Sequence, residues 1–75
     1  MELGVKIKQL RKEKGVTQAQ LAKAVCVSQD TISLWELGKS LPDIQSLIKI
    51  CVYFDVTSDY LIGLQDFGGA VIREN

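Results

Sequence analysis

The sequence predicts an all-α domain, a compact five-helix bundle, on three observations. Leu3, Ile7 and Leu10 recur at helical spacing, with Lys6, Lys8, Arg11 and Lys12 between them. Cap residues (Thr17, Ser28, Asp43 and Thr57) precede apolar-periodic runs, and Gly15 and Gly38 follow such runs. Strand-like alternation is absent until Ala70-Val71-Ile72 near the end.

The first helix is expected from about Leu3 to Lys14, with Gly15 in the usual stop position. Thr17 caps a second helix, and Gln20 three residues later completes a capping-box pattern. Leu21, Ala22 and Val25 form its apolar side. Ser28 caps a third helix running to about Leu37, and Gly38 stops it. Pro42 and Asp43 announce a fourth, with Leu47, Ile50, Cys51 and Phe54 as its buried positions. Thr57 caps a short fifth helix through Leu61, ending near Gly63. Residues 1–64 form the domain. Residues 65–75, with Gly68 and Gly69, are a flexible tail or a dimerisation arm.

Seventy-five residues make one domain near the lower limit for a single core, and 47% apolar content excludes disorder. No apolar run approaches the roughly 20 residues of a membrane span, and the N-terminus lacks a signal-peptide core, so a cytoplasmic protein is expected. Two cysteines and no histidine make neither a disulfide framework nor a metal site. No cofactor and no small-molecule substrate are expected. The chain offers no nucleophile–base pair and no phosphate-binding glycine loop, so it is not read as an enzyme. The net charge is zero but unevenly spread. Residues 1–40 hold seven bases against four acids, and residues 41–75 two against five. A basic half can engage phosphates even when the total is neutral.

The unit from Gln18 to Leu37 has the layout of two short helices crossing steeply through a tight turn. Ala22 supplies the small residue at the crossing. Cys26 sits where the turn needs a residue tolerant of positive φ, normally glycine. Val27, Ile32 and Trp35 lock the second helix onto the first. This joint pattern is that of a helix-turn-helix.

The stretches TQAQLAKAV, VSQDTISLWELGKSLPD and DVTSDYLIG resemble the lambda-repressor-like, Xre-type helix-turn-helix domain of bacterial and phage regulators. The resemblance covers about residues 3–64. It implies a five-helix bundle whose third helix enters the DNA major groove, and members that bind operators as dimers. Cys26 departs from the usual turn glycine and is either a tolerated substitution or a redox-sensing thiol. Leu34 departs from a usual polar reader and either meets a thymine methyl or is simply exposed.

On this resemblance the candidate DNA-binding residues are Gln18, Ser28, Gln29, Asp30, Thr31, Ser33, Leu34 and Lys39. Gln18, at a helix start, suits a phosphate. An amide at Gln29 can pair bidentately with adenine N6 and N7. Asp30 either complements the helix dipole or accepts from cytosine N4. Thr31 suits phosphate and Ser33 a base edge, while Lys39 follows Gly38 in a phosphate-contacting loop. Arg11 and Glu36 are expected to pair structurally between the first and third helices. Trp35 is expected to pack rather than stack on DNA. Lys6, Lys8, Lys12 and Lys14 are read as a solvated face.

These features predict a sequence-specific DNA-binding transcriptional regulator, a repressor, binding double-stranded DNA at a palindromic operator. A homodimer is expected, with Tyr60, Ile62, Leu64 and Phe67 as its interface. The alternative is a protein-interaction module or antitoxin on the same scaffold, favoured by the zero net charge, Asp30, Leu34 and Leu37.

Overall fold

A computed structural model describes residues 3–61 of the chain. Among them the elements are α1 (Leu3–Lys14), α2 (Gln18–Val25), α3 (Gln29–Leu37), α4 (Ile44–Phe54) and α5 (Ser58–Leu61), with no strand. The all-α reading therefore holds. The tail from residue 65, together with Ile62, Gly63 and Leu64, lies outside the described residues.

The helices begin where short polar side chains satisfy free backbone donors. Thr17 accepts from the Gln20 amide at 3.0 Å, and the Gln20 side chain accepts from the Thr17 amide at 2.8 Å. Asp43 accepts from the Ser46 amide at 2.8 Å, and Thr57 from the Tyr60 amide at 3.0 Å. The Ser46 hydrogen bonds hold the Asp43 carboxyl below its ordinary pKa. Three helices stop on a left-handed residue: Cys26 (φ 63°), Gly38 (φ 77°) and Asp55 (φ 57°).

Each helix sends one fully buried aliphatic side chain to the centre: Ile7, Leu21, Ile32, Ile50 and Leu61. Leu3, Leu10, Ala22, Val25 and Trp35 complete the core. The third helix packs against both α1 and α2, while α4 packs against α2 and α5. Burial of Trp35 settles its role as packing.

Two expectations need correction. On α4 only Ile50 is buried; Leu47, Cys51 and Phe54 are half-buried. This short helix has few neighbours, so its flanks stay partly wet. The α1 lysines are not uniformly solvated either. Lys6 Nζ lies 4.6 Å from the centre of the Tyr60 ring, and Lys14 Nζ 5.0 Å from that of Tyr53. The ring faces attract the ammonium heads, and the lysine stems cover apolar surface.

The structure also gives a role to a glycine that periodicity leaves unexplained. A Cβ added to Gly4 would collide with the carbonyl oxygens of Trp35 and Glu36. The start of α1 therefore lies against the backbone at the end of α3, an approach only glycine permits.

Candidate nucleic-acid interface

The turn between α2 and α3 is made by Cys26, Val27 and Ser28. Cys26 adopts left-handed φ 63° and ψ 42°, which turns the chain out of α2. Its Cβ makes this conformation cost about 1 kcal/mol relative to glycine. The Val27 amide donates back to the Ala22 carbonyl at 3.0 Å, closing the turn over the small buried residue. Ser28 then caps α3, accepting from the Thr31 amide at 3.2 Å, and its hydroxyl lies 2.9 Å from that of Thr31. Both hydroxyls are thus already engaged with each other.

Beyond this cap the opening of α3 is polar and outward. Gln29 and Asp30 are exposed, Thr31 and Ser33 half-exposed. Ile32 and Trp35 point the other way into the core. Leu34 lies on the outer side, 42% exposed. Gly38 takes φ 77° and returns the chain, with the Lys39 amide donating to the Leu34 carbonyl at 2.9 Å and the Lys39 side chain exposed. The eight candidate side chains therefore come from the start of α2, the opening and middle of α3, and the turn after it.

A hydrogen-bonded chain of side chains runs behind this surface. Arg11 Nε meets Glu36 Oε2 at 2.7 Å and Arg11 Nη2 meets Glu36 Oε1 at 3.2 Å, a bidentate pair joining α1 to α3. The two side chains are only 12% and 4% exposed. Arg11 Nη1 also donates to the Val16 carbonyl at 3.0 Å, tying in the connection to α2. Gln18 Nε2 donates to Glu36 Oε1 at 3.0 Å, and Gln29 Nε2 reaches Gln18 Oε1 at 3.5 Å, the long limit of a hydrogen bond. The amide of Gln18 thereby bridges the near-buried ion pair to the exposed side chain of Gln29. Sequence reasoning missed this bridge, because its members stand 18 and 11 residues apart and no local spacing marks them.

Two bound glutamines beside a structured ion pair make a stiff polar edge rather than a reaction centre. Among the described residues no group of three metal-ligating side chains occurs. No helix among them is long and apolar enough to cross a membrane.

Comparison with known proteins agrees with this geometry. The helix-turn-helix family model matches residues 7–61. The whole chain is 47% identical over 75 residues to the HTH-type transcriptional activator BcrR of Enterococcus faecalis, of which it spans 37%. It spans 50% of another curated relative, the HTH-type transcriptional regulator ImmR of Bacillus subtilis, at 32% identity over 84% of this chain. The P22 c2 repressor, solved in complex with a synthetic operator, superposes with a TM-score of 0.78 at 33% identity, over 81% of this chain and 92% of that one. On the family match, the layout of α2 and α3 and this likeness, the chain belongs to the helix-turn-helix family, in its lambda-repressor-like, Xre-type branch.

Proposed function

We propose that this chain is a sequence-specific, DNA-binding transcriptional regulator that reads the major groove with α3 and represses by occupying its operator. The polar opening of α3, held from behind by the Arg11–Glu36–Gln18–Gln29 chain, carries the reading. Gln29, Asp30 and Ser33 face base edges, and Leu34 offers a methyl-sized contact for thymine. Gln18, Ser28, Thr31 and Lys39 serve the phosphates, whose contacts set register rather than sequence. The P22 c2 repressor with its operator and the family membership support the same assignment. One domain of this size spans few base pairs, so it acts as a homodimer on a palindromic site, its two α3 helices about 34 Å apart.

Selection of bound sequences from a random DNA pool tests the proposal. A palindromic consensus is expected, and Gln29→Ala should relax one position in each half-site at a cost of about 1–3 kcal/mol. Lys39→Ala should weaken all sequences alike and lower the salt slope by about one unit. If no consensus emerges and binding at low salt is absent, the protein-interaction reading replaces this one. A reporter carrying the selected site decides repression from activation by the sign of its response.

A further inference from the structure

The outer side of α4 carries a ridge of three large aliphatic residues four apart: Ile44, Ile48 and Val52, which are 70%, 57% and 74% exposed. Leu37 and Leu41, on the chain leading into α4, are 65% and 67% exposed. Beside the ridge runs an apolar groove of about 560 Å³, walled by Leu47, Cys51 and Val56 and ending at Asp55 and Ser58. Neither feature belongs to the surface formed by α2 and α3.

We infer that this ridge and groove are a homodimer interface, in which α4 of one copy packs antiparallel on α4 of a second copy. The inference rests on the dimer of the proposed function and places its contact surface. Residues four apart form the ridges that interdigitate when two helices cross at about −50°, the commonest helix packing. A face bearing both such a ridge and an adjacent groove is complementary to itself, as a two-fold interface requires. It must also be nearly uncharged, since each charge would meet its own copy, and the ridge and groove walls carry none; Asp55 stands at the end. Polyanions are poor occupants. The flanking described residues hold Asp43, Asp55 and Asp59 against Lys49, which repels phosphate from DNA or an acidic membrane. The five exposed aliphatics present on the order of 500 Å², at the top of the range an unpartnered domain leaves open. Pairing them buries about the area of a small interface, so the dimer is weak, with a dissociation constant of micromolar order.

Charge-swapped ridges test this in the full chain. One variant carries Ile44→Lys, Ile48→Lys and Val52→Lys; the other carries glutamate at the same three positions. Because all three side chains are exposed, both should keep parental helix content by circular dichroism. Sedimentation equilibrium without DNA should show concentration-dependent dimers of the parent, at least tenfold weaker self-association of each variant, and recovery when the two are mixed. Such recovery requires ridge to face α4 of the other copy. The inference is overturned by a parent that stays monomeric, by variants that dimerise like the parent, or by a mixture that stays monomeric. Loss of the dimer in Leu64→Ser with Phe67→Ser would overturn it in favour of the tail. DNA reading is scored separately on a single half-site, which both variants should still prefer over scrambled DNA. Loss of that preference in the parent would sink the DNA-reading proposal while leaving the sedimentation result standing.

Discussion

On α3, Ile32 is buried and Leu34, two residues on, lies outward among Gln29, Asp30 and Ser33. On α4, Ile50 is buried and Ile48, two residues back, lies outward in line with Ile44 and Val52. The inward faces of the two helices are alike. Their outward faces are opposite in chemistry. The polar edge of α3 is stiffened by side-chain hydrogen bonds reaching back to α1, whereas the α4 ridge has none to make. A wet, hydrogen-bonding surface suits a ligand whose own edges are donors and acceptors. A dry one suits another protein. The small bundle thus separates the two kinds of recognition onto two helices, with a common core between them.

The largest effect should fall on the ion pair behind α3. Glu36→Ala strands the Arg11 guanidinium and frees Gln18, so it should destabilise the fold by about 3–5 kcal/mol in chemical denaturation. A loss under 1 kcal/mol would mean that water compensates Arg11 and that α3 is not held from α1.

The α4 comparison can be broken directly. Ile50→Ala removes a wholly buried side chain and should cost about 2–5 kcal/mol. Ile48→Ala, measured at concentrations low enough to keep the chain monomeric, should cost about 0.5 kcal/mol or less. Equal losses would erase the distinction between the two sides of α4. Gly4→Ala should cost about 1–3 kcal/mol, because the new methyl meets backbone carbonyls of α3 that have little room to move.

Smaller effects compare the left-handed stops. Cys26→Gly removes Cβ strain but frees the unfolded chain, so thermal denaturation should show a change between zero and a gain of about 1 kcal/mol. The smallest effect is the acid response of the α4 cap. The pKa of Asp43 is lowered in the fold, so its contribution is fully present above the ordinary carboxylate pKa. It fades as the pH falls through the lowered value. Asp43→Asn keeps a capping oxygen and should flatten the acid limb of stability against pH while leaving neutral stability nearly unchanged.

The bundle was legible because its punctuation is local. Thr17, Ser28, Asp43 and Thr57 each cap a helix within three residues of their own position, and Cys26 could be placed at positive φ from its rank in the turn. Asp55, which stops α4 in the same conformation, was not seen, since no fixed layout points to it. The inner face of α4 was misjudged for a plain reason: eight of its eleven residues are apolar, so its outward side carries no polar marker. Leu47, Cys51 and Phe54 were therefore indistinguishable from Ile50. Gly4 and the Gln18 bridge depend on where α3 lies relative to α1 and α2, which no single segment encodes. The pairing of Arg11 with Glu36 was an expectation of family resemblance, not of spacing.

The two thiols give this molecule a pair of built-in reporters. Cys26 is exposed at the turn before α3, while Cys51 is half-buried in the α4 groove, where burial pushes its thiol pKa up. Because thiolate is the reactive form, a soft electrophile near neutral pH should modify Cys26 well before Cys51. A fluorophore on Cys26 would then stand three residues from Gln29, with no engineered cysteine needed. The slower alkylation of Cys51 would report, through its rate alone, whether the groove is open or covered.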